Sequence, residues 1–292
     1  MKVAPLIHCR TYKCDYNAGF LARPNDFFDE EIQKARNYVV HATASIDSMK
    51  GNRWMVVNIG THCIVGYIGY ISDLAEQLND EDLKIYSCDE QGRRIFAFIG
   101  FAVQEKSFNR TNDALQVTSK QLGDWLKAYL SKKWEKTVVD SQLTSYDSEL
   151  SPCDEVDEDL GRSETIRNYI FYESNPYYDE KRFQYYLKQA LRGDNVRFCS
   201  NLDRLRDVEN TIFTTVTTSV NVIRQMKEQL SEREHKRSSK SQVISDGETE
   251  IKKKHLSHKK NSARSWKKTL IAGCVAILLL IIIMIIKAMK SV

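Results

Sequence analysis

IFAFIGFAV, Ile95 to Val103, is apolar at every position and is bracketed by Arg94 and Gln104. A continuous apolar run of strand length, ended by polar residues, suits a central strand buried on both faces. A strand buried on both faces needs strand neighbours on each side and helices above and below it. The residues around this run supply both. On its N-terminal side, Leu83–Cys88 is separated from Arg94–Val103 by Asp89-Glu90-Gln91-Gly92, which predicts a hairpin. Arg53–Ile59 and Cys63–Ile71, separated by Gly60-Thr61-His62, predict another. Val3–Cys9 reads as a first strand and Gly19–Ala22 as a short second one. Gly60, Gly66, Gly69 and Gly100 lie in or beside these strands, where glycine eases twist or close packing.

Helices flank the strands. Phe28, Ile32, Ala35, Val39, Ala42, Ile46 and Met49 recur at alternating spacings of four and three, one apolar stripe along a helix. Asp26 suits its N-cap, Asp29, Glu30 and Glu31 suit its positive end, and Gly51 suits its exit. Ser72 is placed to cap a short helix through Leu78. A last helix is predicted over Ser119–Trp134. Residues 1–137 therefore read as one α+β domain, a mainly antiparallel sheet with packed helices.

The composition then changes. Val138–Glu164 holds nine acidic residues against one base, Arg162, and reads as a solvated linker over 138–164. Residues 165–237 read as an aromatic-rich and amphipathic helical region. Tyr169–Tyr186 is dense in Tyr and Phe. Such rings are expected to pack back on the first domain, or to form a surface for a partner. Asp179–Arg192 reads as a helix ending at Gly193. Over Asn201–Lys236, the residues Ile212, Val216, Ser219, Ile223, Met226 and Leu230, preceded by Leu202 and Leu205, follow a four-three rhythm, a predicted coiled-coil-like stalk that packs within the chain or against another helix. Five threonines in Thr211–Thr218 lower its intrinsic helix propensity.

Residues 238–268, rich in Ser and Lys, read as a basic flexible tether next to a membrane. Leu270–Ile286, LIAGCVAILLLIIIMII, is 17 residues without a charge. As a helix it spans roughly 25 Å against a bilayer core of about 30 Å. A transmembrane helix is predicted over 269–287, with a short tail over 288–292. Leu270, Ile271, Val275, Ile277, Leu278, Leu279, Leu280, Ile281, Ile282, Ile283, Ile285 and Ile286 form the predicted anchor. Lys252, Lys253, Lys254, Lys259, Lys260, Arg264, Lys267 and Lys268 precede it, whereas only Lys287 and Lys290 follow. This bias predicts a cytoplasmic location for everything before the span. It also gives the basic run anionic lipid headgroups as partners. MKVAPLIHCRTYKCD lacks the apolar run of a signal peptide. Ala272 and Ala276, with Gly273 beside them, permit close helix packing and self-association in the membrane.

The layout of α/β domain, heptad helix and C-terminal anchor resembles that of longin-domain R-SNAREs. The resemblance implies membrane fusion through Leu202–Leu230. Arg224, between Ile223 and Met226, lies off the apolar stripe, and later heptad positions fall on Arg233, Arg237 and Lys240.

The 292 residues, 42% apolar, suffice for one good core, and the net charge of +4 hides an acidic middle and a basic end. No folded basic face accompanies the basic run, so nucleic acid is not an expected partner. Seven cysteines at scattered spacing read as reduced thiols. No phosphate-binding glycine loop, dinucleotide fingerprint, Gly-x-Ser-x-Gly or His-Glu-x-x-His is present. His8-Cys9, Cys14 and His62-Cys63 are irregularly spaced for a zinc set. No catalytic, cofactor or metal residues are assigned. The expectation is a tail-anchored, single-pass protein acting as a non-enzymatic adaptor for an unidentified protein partner. The alternatives are the fusion role and an enzyme with a polar pocket around His41, His62 or Cys63.

Overall fold

The computed structural model describes residues 1–16, 19–48, 51–108, 114–138, 140–153 and 159–231. The apolar run forms β5 (Phe96–Gln104), which lies antiparallel between β4 (His62–Tyr70) and β1 (Lys2–Cys9). Gly100 of β5 faces Gly66 of β4 across the ladder. A Cβ on Gly66 would sit 2.0 Å from the Phe98 ring, and one on Gly100 2.0 Å from the Val65 carbonyl oxygen. The missing side chain at Gly66 is therefore the space that the Phe98 ring occupies. β3 (Arg53–Ile59) pairs with β4 through the tight turn at Gly60, whose φ of 53° favours glycine.

The sheet is large and mixed. On one side of β5 it continues through β1, β2 (Ala22–Pro24) and β7 (Gln142–Thr144), with β8 (Ser148–Glu149) also paired to β1. On the other side, beyond β4 and β3, come β12 (Arg197–Cys199), β13 (Thr215–Thr218), β11 (Tyr169–Glu173) and β10 (Ser163–Ile166). β11, β13 and β12 are mutually parallel, and β12 is antiparallel to β3. β6 (Ala114–Leu115) and β9 (Pro152–Cys153) form a separate small pair.

Helices cover both faces. α1 (Asp29–Ala42) buries Ala35, Val39 and Ala42 against Met55, Val57 and Ile64 on one face. α6 (Leu205–Glu209) and α7, helical over 220–231, contribute Val208, Val222 and Ile223 to the same core. The opposite face is covered by α2 (Ile71–Leu78), α4 (Ser119–Leu130) and α5 (Pro176–Leu191), with the single turn α3 (Glu81–Lys84) beside α2. Phe171, Tyr172 and Phe183 are buried, and Tyr186 stacks on Phe198 at 4.9 Å. The aromatic segment thus packs back onto the sheet, one of the two fates expected for it.

Several expectations are corrected. Leu83–Cys88 is not a hairpin arm: Asp80 accepts the Leu83 N–H and caps the turn of α3, leaving one bridge from Cys88 to Arg94. α1 begins after Phe28, which is 76% exposed, and ends at Ala42, with Ile46 in a separate 3-10 turn. Asp26 does not cap it. The described residues of 138–164 do not form a free linker, because short pieces of them pair with β1, β2, β6 and β11 and Leu150 is buried. Backbone hydrogen bonds stabilise strands whatever the charge of an outward side chain, so acidic composition did not preclude them.

The largest correction concerns the helix expected over Asn201–Lys236. It is interrupted by β13, in which Val216 is fully buried between Phe171 and Cys199. The β-branched run Thr214–Thr218 fits a pleated surface better than a helix. Thr217 Oγ1 accepts the Asn201 N–H at 2.8 Å, and the Thr218 hydroxyl donates to the Leu202 carbonyl. Leu205, Ile212 and Met226 are partly buried against this core, and Ile223 is buried in it. They pack within the chain rather than forming one exposed stripe. Leu230 is helical, at the end of the described residues. The basic run Lys252–Lys268 and the apolar run Leu270–Ile286 lie outside them. No helix among the described residues is long and apolar enough to cross a membrane.

Candidate functional site

β11, β12 and β13 run parallel, and their carboxyl ends lie together at one end of the sheet, beside the start of β3. α5 follows β11 and α7 follows β13, so two helix N-termini begin there. Open α/β sheets place ligand sites at such strand ends. A cleft of about 690 Å³ occupies the position here. Glu173 and Ser174 enter it from the end of β11, and Asp179 and Glu180 from the first turns of α5. Asn201 and Asp203 enter from the loop after β12, and Ser219 and Asn221 from the start of α7. Trp54 of β3 and Tyr67 of β4 form its aromatic wall, with Gln77 and Ser119 at the margin.

Asn201 organises the polar side of the cleft. Its φ of 62° is in the left-handed region, which Asn tolerates better than most residues. In that conformation its N–H reaches Thr217 Oγ1, and its Nδ2 donates to the Asn52 carbonyl at 3.1 Å. Ser174 Oγ donates to Asn201 Oδ1 at 2.6 Å. Arg53, fully buried, donates from Nε to the Asn201 carbonyl and from Nη1 to the Ala42 carbonyl at the end of α1. Burial lowers the Arg53 pKa, opposed by Cys199, Asp203 and Asp207. A cation at the end of α1 suits the negative end of that helix.

The electrostatics are one-sided. The four carboxylates Glu173, Asp179, Glu180 and Asp203 line the cleft, and no Lys, Arg or His among the described residues does. Asp179 is paired at 2.8 Å with Arg182, itself 2% exposed. Burial raises the Asp179 pKa, against the opposing effects of Arg182, Thr217 and Ser174. Trp54 stacks on Phe183 at 4.2 Å and meets Tyr67 edge-on at 5.3 Å. Tyr67 is 1% exposed, and its hydroxyl has no hydrogen-bond partner.

The histidines and cysteines weighed from sequence lie outside the cleft and apart from one another. His62 is clamped between Glu31 Oε1, 2.9 Å from Nδ1, and Asp26 Oδ2, 3.1 Å from Nε2. Tyr146 donates to Asp26 Oδ1 at 2.9 Å, and Gln104 Nε2 donates to Oδ2 of the same carboxylate. For Asp26 and Glu31, burial acts to raise the pKa, but hydrogen bonds and the charge of His62 bring both below the usual carboxylate range. This cluster ties the start of α1 to β4. Cys63, next in sequence, points to the other face of the sheet, where burial pushes its thiol up. His8 packs against Tyr16 and Phe20, and burial lowers its pKa to about 4. Among the described residues no group of His, Cys, Asp and Glu is arranged to hold a metal ion.

The cleft residues carried no motif. The available signals were Asn201 two positions after the apolar pair Phe198-Cys199, and Arg53 at the head of an apolar strand. No family model matches the chain, and neither a curated protein nor a solved structure is significantly similar to it.

Proposed function

We propose that this protein is a membrane-tethered binding module, in which the folded part offers the strand-end cleft to a partner. The observation that carries this reading is the cleft itself. It is open and acidic, with an aromatic wall and a hydrogen-bonded base. Its lining holds carboxylates, amides, hydroxyls and two aromatic rings, a set suited to recognition of a cationic group. The apolar run Leu270–Ile286 supplies the tether, and Lys252–Lys268 meet anionic headgroups at the membrane surface. On this reading α6 and α7 belong to the folded module.

The test uses the tagged full chain and a Glu173→Gln/Glu180→Gln variant, captured from membranes in mild detergent. The chain should resist alkaline carbonate extraction, and a defined set of partners should be lost with the variant. Release by carbonate overturns the tether. Capture of the same partners by both proteins overturns the assignment of the cleft.

A further inference from the structure

We infer that β10 is a self-association edge, on which a second copy of this chain adds its own β10 antiparallel about a two-fold axis at Ser163. β10 is the last strand of the eleven-stranded sheet. The N–H groups of Ile170 in β11 and of Ser174 just beyond it donate to the Thr214 and Thr218 carbonyls. Alternate positions of β11 therefore face β13, and the others, Tyr169 and Phe171, face β10. Their register partners are Ile166 and Glu164, whose backbone groups bond to β11. The N–H and C=O groups of Ser163 and Thr165 point the other way. Both residues are exposed, and among the described residues no strand pairs with that side. An open row of backbone donors and acceptors is a template for another strand.

The charges along the edge select a second copy as the occupant. Arg162 and Glu164 are of opposite sign, stand two positions apart, and lie on the side of the sheet that α7 covers. Glu164 is ion-paired to Lys227 of α7. Arg162 is exposed and has no carboxylate partner among the described residues. With Ser163 on the axis, Arg162 of each copy lies directly opposite Glu164 of the other, and the symmetry makes the match twice. Opposite charges directly across a ladder are favourable and like charges are unfavourable. An axis at Glu164 sets two carboxylates against each other, and an axis at Thr165 sets Glu164 against Ile166. Only the axis at Ser163 pairs the charges. Gly161, with a φ of 69°, leaves the extended region and ends the added ladder. Such a contact is short, and copies tethered in one membrane would meet there at a raised effective concentration. No cleft residue lies on β10.

The test is light scattering of the detergent-solubilised full chain over a concentration series, with co-capture of differently tagged copies. The native chain should reach a dimer. Arg162→Glu and Glu164→Arg each set like charges across the ladder and should raise the dissociation constant about tenfold or more. Mixed together, the two variants restore both opposite-charge pairs and should co-capture as native copies do. Ser163→Pro removes an N–H that the chain's own sheet leaves unused, and should also give monomer. The melting temperature of Arg162→Glu at monomer concentration should match that of the native chain, because Arg162 is exposed and unpaired. If Glu164→Arg does not fold, for want of its Lys227 pair, Arg162→Glu and Ser163→Pro decide the matter. A native chain that stays monomeric overturns the inference. So does a dimer that persists unchanged in Arg162→Glu and Ser163→Pro, which places the contact elsewhere. Failure of two folded variants to co-capture overturns the axis at Ser163. None of these outcomes touches the binding role of the cleft.

Discussion

Val216→Ala separates two structures for the same heptad-like sequence. In the sheet, Val216 is fully buried at the centre of the parallel ladder, flanked by Phe171 and Cys199. Removing two methyl groups costs about 0.8 kcal/mol each, or about 1.6 kcal/mol. A void of about 50 Å³ that does not collapse adds about 1.2 kcal/mol at about 24 cal/mol per Å³. The loss is therefore between about 1.6 and 2.8 kcal/mol, a fall in melting temperature of roughly 3–11 °C for a unit of this size. Had residues 201–236 formed one helix with its stripe exposed and unpartnered, the same change would replace a poor helix former by the best one, a gain of roughly half a kcal/mol in helix propensity. The two structures thus predict opposite signs. Thermal unfolding of the full chain in detergent, followed by tryptophan fluorescence, measures the difference. An unchanged or raised melting temperature for Val216→Ala would refute the placement of β13.

Asp179→Ala leaves the buried Arg182 guanidinium without its carboxylate and should cost about 3–5 kcal/mol, whereas Asp179→Ala/Arg182→Met should recover part of that loss in the same melt. The carboxylates around His62 predict an acid limb. Asp26 and Glu31 have folded pKa values below their ordinary 3.8 and 4.5, so their contribution is fully present above those values and is lost as pH falls through the lower folded ones. Asp179, whose pKa is raised, acts in the opposite direction. Asp26→Asn/Glu31→Gln should therefore flatten the fall of melting temperature in acid, and an unchanged profile would count against the cluster. In native protein treated with iodoacetamide, Cys88, which is exposed, should be alkylated well before Cys9, Cys63 and Cys199, which are buried with raised thiol pKa values. Peptide mass spectrometry reads the order, and early labelling of Cys63 would contradict the packing of β4.

Local sequence determined the parts of this protein whose stability is itself local or uniformly apolar. The run Ile95–Val103 became a strand buried on both faces because no residue in it tolerates water. Gly60-Thr61 became a turn because φ at Gly60 is positive. The stripe Ala35, Val39, Ala42 became a helix face because those positions fall on one side at helical spacing. The anchor proposed at Leu270–Ile286, outside the described residues, is read from length and hydropathy alone. Only the tertiary structure decided the fate of Thr211–Thr218, where an apolar four-three rhythm and a β-branched run point in different directions. The place of Val216 between two parallel strands, together with hydrogen bonds from Asn201 and to Leu202, settled it in favour of the sheet. The cleft was equally out of reach of the sequence. Trp54, Tyr67, Glu173, Asp179 and Asn201 are separated by up to 147 positions along the chain. They meet only because β12 docks antiparallel on β3 and brings the ends of three parallel strands to one place.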